Sequence, residues 1–256
     1  MIEENSKKIL QKLSERNLVL DIGGWSFPYN RADYVIDIHP YETRGFFGCQ
    51  GGREEHFTKD TWIIHDISSR KKLPFKNNQF DFVICSHVLE DVRDPIWLCS
   101  EIRRVGKRGY IEVPSKRVEL TKGVANSRYA GYYHHRWLAE IKNSKIVFKF
   151  KPHFIHNNWK FHFPKKSLSR LKDDKKVSFL FWEQTFDFYE EIQISKDKIE
   201  QDIFNFIKDQ KTYPKVYYSL DSFKNKLNFF YVYWKKKFKP DTYHHKYMDT
   251  EIHKSR

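Results

Sequence analysis

The sequence predicts an α/β fold built on a mostly parallel β-sheet with an antiparallel edge, and three observations carry that expectation. Five apolar segments, 18–22 (LVLDI), 34–38 (YVIDI), 62–67 (WIIHDI), 80–85 (FDFVIC) and 109–113 (GYIEV), recur through the first half of the chain. Four of the five are dense in β-branched or aromatic residues with few polar interruptions, as strands covered on both faces should be. Between the last two lies a helix signal: Asp94 as N-cap, Pro95 at the first helical position, Leu98, Ile102 and Val105 at helical spacing, and Gly106 as the stop. Strand, helix and strand in that order imply a right-handed crossover between parallel strands.

Residues 3–15 set Ile9, Leu10 and Leu13 among lysines and glutamates, which predicts a short amphipathic helix leading into the first strand. The stretch after that strand, 23–32, contains Gly23, Gly24, Pro28 and Arg31 without a helical apolar period. A parallel crossover usually takes a dozen or more residues with a full helix, so a reduced crossover is expected here. Beyond residue 145, IVFKFKPHF and VSFLFWEQTFDFYEEI alternate aromatic and polar residues and are expected to complete the sheet as its antiparallel edge. Segment 156–166 (HNNWKFHFPKK) reads either as a loop over a substrate cleft or as a basic surface connection. Residues 220–239 place Leu220, Phe223, Leu227, Phe230, Tyr231 and Trp234 on one helical face with lysines elsewhere. That stripe suits packing on the domain, or peripheral contact with an anionic membrane or an acidic partner. The expected division is one α/β domain over 1–195, with its ligand-binding core at 18–137, and a helical basic C-terminal extension over 196–256.

A formal net charge of +14 over 256 residues implies attraction to nucleic acid, an acidic lipid surface or a phosphorylated substrate. Aromatic residues make up 17% of the chain, which excludes an intrinsically disordered protein. Cys49, Cys85 and Cys99 are widely spaced without a CxxC pair, so neither a disulfide framework nor a thiolate zinc site is expected. With no leader-like N-terminus and no apolar run longer than 229–234, the expected location is cytoplasmic.

Polar residues stand at the ends of these strands: Asp21, Asp37, Asp66, then Ser86 with His87, while Glu112 interrupts the fifth. In an open α/β sheet those carboxyl ends share one edge, where ligands bind. Carboxylates around a glycine turn suit a ligand rich in hydroxyls and carrying positive charge. S-adenosylmethionine fits: its ribose diol and adenine amino group donate hydrogen bonds, and its sulfonium and ammonium groups are cationic. It carries no phosphate, so the GxGxxG turn that a dinucleotide needs is dispensable. For any single Asp, a turn or cap at a strand end is the plainer explanation; the succession of strand ends favours a site.

The run 66–115, DISSRKKLPFKNNQFDFVICSHVLEDVRDPIWLCSEIRRVGKRGYIEVPS, together with VLDIGG and YVIDIHP, resembles the class I S-adenosylmethionine-dependent methyltransferases of the type 11 methyltransferase-domain group. The resemblance covers roughly 18–137 and implies a Rossmann-like class I methyltransferase sheet with C-terminal additions. It implies that Asp21 and Gly23 form the first cofactor motif with Gly24 beside the methionine end, and that Asp37 binds the ribose. It further implies that Asp66 and Ile67 flank the adenine, and that Ser86 and His87 lie next to the sulfonium. This chain departs from the group where Trp25 replaces a common glycine and Asp91 a common histidine. Trp25 implies either a lost site or a rebuilt loop whose indole covers the cofactor, and the second is expected.

The segment 128–138, RYAGYYHHRWL, follows the fifth strand and supplies the candidate chemistry. His135 is the first candidate base and His87 the second; Tyr133, His134, Arg136 and Glu112 are candidate substrate contacts. The plainer alternative is that Trp137 and Leu138 start a core segment with the histidines on its wet side. His134, His135 and Glu112 have no recognisable ligand spacing, so no metal is expected. The resemblance points to O-methylation of a sugar, a nucleotide-activated sugar or another small phosphorylated precursor of a cell-surface glycan. The alternatives are a nucleic-acid methyltransferase, favoured by charge alone, and a non-catalytic binding module for the same cofactor.

Overall fold

The computed structural model describes residues 1–169 and 171–210, with Leu227 and Tyr231 beyond them. Two compact units divide the chain, Met1–Gln210 and Lys211–Arg256. The stripe expected over 220–239 lies outside the described residues apart from Leu227 and Tyr231, which are helical and exposed.

Helix α1 (Glu3–Lys12) precedes β1 (Val19–Ile22), β2 (Tyr34–Asp37), β3 (Trp62–Ile64), β4 (Phe82–Ser86), α2 (Pro95–Val105) and β5 (Arg108–Pro114). After the short α3 (Lys116–Glu119) come β6 (Trp137–Lys142), β7 (Lys145–Phe150), β8 (Val177–Glu183), β9 (Asp187–Glu190) and α4 (Lys196–Asp209). Six strands form the main sheet in the order β3-β2-β1-β4-β5-β8. The first five run parallel and β8 pairs antiparallel with β5. Order therefore reverses at the β1/β4 pair, which marks the carboxyl edge there as the ligand crevice.

Period-2 alternation sorts the strand residues onto two faces. Leu20, Ile22, Ile36, Val83, Cys85 and Ile111 face the cluster closed by Leu98 and Ile102 of α2. Val19, Val35, Phe82, Ile84 and Tyr110 face the other, closed by Ile9 of α1. Helix α2 starts as expected: the Asp94 carboxylate accepts the Trp97 N–H at 2.9 Å, a cap worth about 1 kcal/mol. No helix intervenes between β1 and β2, so the reduced first crossover stands.

Three expectations need correction. Strand β3 stops at Ile64 because His65 and Asp66 enter a turn in which Asp66 Oδ1 accepts the Ser68 N–H at 2.8 Å. The aromatic segments divide: β8 joins the main sheet, whereas β7 lies in a separate three-stranded sheet, β6-β7-β9. Helix α4, expected to open the extension, belongs to the first unit; its Ile203 and Ile207 pack with Phe161, Phe163 and Ile155. Of the segment 156–166, Phe161 and Phe163 are buried in this third apolar cluster.

Candidate functional site

The carboxyl edge of the sheet gathers most of the expected residues. Gly23 follows β1 with φ +74°, and its N–H donates to Ile36 O at 2.8 Å, binding the first loop to β2. A Cβ on Gly23 would lie 2.3 Å from Val88 Cγ2, and one on Gly24 would lie 2.3 Å from Asp21 Oδ2, so neither position has room for a side chain. Asp21 is buried beneath that turn, where Oδ2 accepts the Tyr29 N–H at 2.9 Å; burial pushes its carboxyl up to about 7. It braces the loop from below.

Trp25 does not take a left-handed backbone conformation; that falls to Gly23. Its N–H donates to Asp37 Oδ2 at 3.2 Å, and its indole Nε1–H donates to the carbonyl and hydroxyl oxygens of Thr43, each at 2.9 Å. The indole lies flat on His39 at a centroid distance of 3.8 Å. Asp37, at the end of β2, accepts the His39 N–H on Oδ1 at 2.9 Å and contacts His39 Nδ1 on the same oxygen at 3.0 Å. Both loops are thus organised around one carboxylate. Beside it, Ile38 and Ile64 are 56% and 63% exposed at adjacent strand ends, an apolar surface suited to a flat heteroaromatic ring. Asp66 is exposed and Ile67 packs partly on the core, so of the pair expected to flank the adenine only Ile67 carries apolar surface toward the interior.

Ser86 and Glu112 are register partners at the ends of β4 and β5, with Ser86 Oγ 3.5 Å from Glu112 Oε1. His87 follows in the left-handed region at φ +58°, held by its N–H to Glu112 O at 2.8 Å and by Nε2 at 3.0 Å from Glu112 Oε1. Glu112 is fully buried and also takes the Tyr110 hydroxyl, the Ile2 N–H and the chain's amino group. Burial alone would raise its carboxyl, but the His87 bond, the terminal ammonium and Tyr110 hold it down at about 2. Burial would lower the His87 imidazole; Glu112 and Glu90 overcome this and raise it to about 9. Glu112 is thus occupied by His87, Tyr110, Ile2 and the amino group, and the same carboxylate favours the cationic form of His87 over the proton-accepting one.

The remaining candidates meet at the loop after β4. The Glu90 carbonyl accepts the N–H groups of Arg136 and Trp137 at 2.8 and 3.2 Å, and the Trp137 indole donates to Val92 O at 2.9 Å. Those bonds bring His134 and His135 to Asp91. Trp137 and Leu138 do start a strand, but His135 is buried, its Nδ1 2.6 Å from Glu119 Oε1. Tyr132 stacks on that imidazole at 4.5 Å. Tyr133, His134 and Arg136 are exposed around it. Glu119 is buried with Lys151, whose Nζ lies 2.5 Å from Oε2. Burial would raise the Glu119 carboxyl, and the His135 bond and the Lys151 charge outweigh it, keeping the group ionised. Glu119 and Lys151 went unnoticed in the sequence because 32 residues separate them and neither sits in a motif. Glu90 lies in the segment 86–90, SHVLE, at the end of β4, where a carboxylate among apolar residues is the signal in the sequence.

Residues 34–111 match the model of a methyltransferase domain family. No curated protein matches the chain. Among solved structures, a chain of the complex between the Haloferax volcanii Trm112 methyltransferase activator and a putative methyltransferase is 19% identical, with a TM-score of 0.32 over 43% of this chain and 51% of that one. A putative methyltransferase from Bacillus halodurans is 17% identical, with a TM-score of 0.32 over 44% and 52%. An S-adenosylmethionine-dependent methyltransferase from Mesorhizobium loti is 13% identical, with a TM-score of 0.31 over 56% and 63%. The chain spans about half the length of the first two. The family match runs from β2 into β5 of a 3-2-1-4-5 parallel sheet with an antiparallel edge, so this part of the chain is similar to a methyltransferase domain.

Proposed function

We propose that the protein transfers the methyl group of S-adenosylmethionine to a hydroxyl of a sugar, a nucleotide-activated sugar or another small phosphorylated glycan precursor. The observation that carries this reading is the Glu119–His135 pair at the carboxyl edge of the sheet. An ionised, buried Glu119 accepting from Nδ1–H leaves the Nε2 lone pair of His135 as the free end, the orientation needed to activate an acceptor hydroxyl.

In this reading Asp37 takes the ribose diol, Ile38 and Ile64, with Ile67 beside them, the adenine, and Gly23, Gly24 and Ser86 line the methionine end. Trp25 acts by fixing the loop. The cationic His87 keeps the end of β4 in place through Glu112. Exposed Arg136 and His134 suit a phosphate on the acceptor, with Tyr133 as a sugar-stacking surface. In the reaction the hydroxyl oxygen attacks the S-methyl carbon as the S–C bond breaks, and neutral S-adenosylhomocysteine leaves. The test is methyl incorporation from labelled S-adenosylmethionine into a panel of nucleotide sugars, sugar phosphates and RNA. Labelling of RNA alone would overturn the substrate class. His135→Gln is expected to lower turnover at least a hundredfold on the true acceptor while S-adenosylhomocysteine still binds.

A further inference from the structure

Asp91 Oδ1 is buried and, among the described residues, has no hydrogen-bond partner. It faces two imidazole nitrogens, His134 Nε2 at 3.8 Å and His135 Nε2 at 3.7 Å. All three atoms lie within 4.8 Å of one another. Those separations are too long for hydrogen bonds. They are near the ~3.4 Å between two ligands of a tetrahedral ion that binds each at about 2.1 Å.

Second, the tautomer is set for coordination. Histidine ligands almost always donate their other ring N–H to a carboxylate or carbonyl, and here His135 Nδ1 meets Glu119 at 2.6 Å, itself fixed by Lys151. Third, the local charge is short of a cation. Glu112 is matched by His87 and the chain's amino group, and Glu119 by Lys151. Glu90 is 1% exposed, yet neither of its carboxylate oxygens has a hydrogen-bond partner among the described residues; its nearest ion-pair contact is His87 Nδ1 at 3.5 Å. With His87 and the amino group set against Glu112 and Glu90, Asp91 is left with negative charge that a cation beside it would offset.

We propose that Asp91, His134 and His135 bind one divalent transition-metal ion, with an open coordination position for the acceptor hydroxyl. Two imidazoles and one carboxylate select a borderline ion of the Zn²⁺, Co²⁺ or Mn²⁺ kind over Mg²⁺ or Ca²⁺. Three protein ligands with an open fourth position characterise a catalytic metal site rather than a structural one. The metal site stands on this geometry; its use rests on the methyl-transfer reading. The ion would lower the pKa of the bound hydroxyl, whose proton would pass to bulk water. The resulting alkoxide forms the C–O bond as the S–C electron pair returns to sulfur. His135 then activates the acceptor through the ion.

The experiment is titration of the full chain, free of any affinity tag and dialysed against EDTA, with CoCl₂ and separately with ZnCl₂. One Co²⁺ per chain with visible d–d absorption is expected. His134→Ala, at a half-exposed position, is expected to weaken it at least tenfold with no change in melting temperature. Glu119→Gln is expected to weaken it ten- to hundredfold through His135. Absence of both Co²⁺ and Zn²⁺ binding, or unchanged affinity in His134→Ala, overturns the site. S-adenosylhomocysteine binding, measured by calorimetry on the same samples, is expected with and without metal. Its loss alongside intact Co²⁺ binding would sink the methyl-transfer reading and leave the metal site standing. Undiminished methylation by the metal-free protein would overturn the coordinated-hydroxyl step and return His135 to the role of a direct base.

Discussion

The indole of Trp25 stacks on the imidazole of His39 at 3.8 Å with 14° between the rings, joining the loop after β1 to the loop after β2. Asp37 lies between their backbones and accepts an N–H from each. A residue that looked like damage to a glycine turn is therefore the staple that holds the proposed ribose carboxylate in place. Trp25→Ala is expected to weaken S-adenosylhomocysteine about tenfold, since an aromatic pair contributes about 1 kcal/mol and the Thr43 bond is lost as well. Trp25→Phe keeps the stack, loses the Nε1–H bond and should fall between the two in calorimetry. Equal affinities for all three proteins would remove Trp25 from the site.

Asp37 already accepts Trp25 N–H and His39 N–H, and a carboxylate has lone pairs left for a diol. Hydrogen bonds to a charged group contribute about 1.5–3 kcal/mol each. Asp37→Asn is accordingly expected to lower cofactor affinity ten- to hundredfold with little change in melting temperature. Isothermal titration with S-adenosylhomocysteine reads this directly, and unchanged affinity would show that the ribose sits elsewhere.

The His87–Glu112 pair gives the fold a pH window. Glu112 is held at about 2 against an ordinary 4.5, so its contribution is complete above pH 4.5 and is lost as pH falls toward 2. His87 is raised to about 9 from 6.5, so its contribution is complete below pH 6.5 and is lost as pH rises through 9. Stability from the pair is greatest between about pH 4.5 and 6.5. Glu112→Gln should bring the His87 titration down toward 6.5 and flatten the alkaline side of the stability profile. Proton NMR of the His87 ring checks it; a midpoint near 6.5 in the unmodified protein would refute the pairing.

Much of the cofactor edge was legible in the sequence because it depends on local order along the chain. β-branched runs ending in Asp21, Asp37 and Ser86 put those residues on one edge once the strands are parallel, and Asp94, Pro95 and Gly106 bound α2 by local rules. What escaped depends on pairing across distance. Glu112 reads as a polar gap in an apolar strand, and only register with Ser86 shows that His87 and Tyr110 consume it. The Asp91–His134–His135 group spans two loops joined by the Glu90 carbonyl, for which spacing gives no signal. Alternation in KIVFKF marks a half-buried strand without saying which sheet it enters, and β6, its hairpin partner, draws it into the smaller one.

The cluster of residues 153–163 on α4 should loosen in acid before the sheet does. His162 is buried; its Nδ1 meets Ile155 O at 3.0 Å, and Nε2 has no partner among the described residues. His156 Nδ1 accepts the Ala130 N–H at 3.1 Å, which requires a lone pair there. Burial lowers both to about 4, helped at His156 by the charges of Lys151 and His153. The sign follows from a folded value below the ordinary 6.5: both histidines are kept neutral, so their share of stability is complete above pH 6.5 and is lost as pH falls through 4. Protonation would place an unpaired N–H⁺ at His162 and break the His156–Ala130 bond. Amide exchange at Phe163, whose N–H donates to Leu120 O at 2.7 Å, is expected to accelerate below about pH 6, after correction for intrinsic rates. Amides of β1 and β4 should keep their protection over the same range, and His162→Phe should move the onset to lower pH. Simultaneous loss of protection in the sheet and at Phe163 would show that the two histidines do not set a local transition.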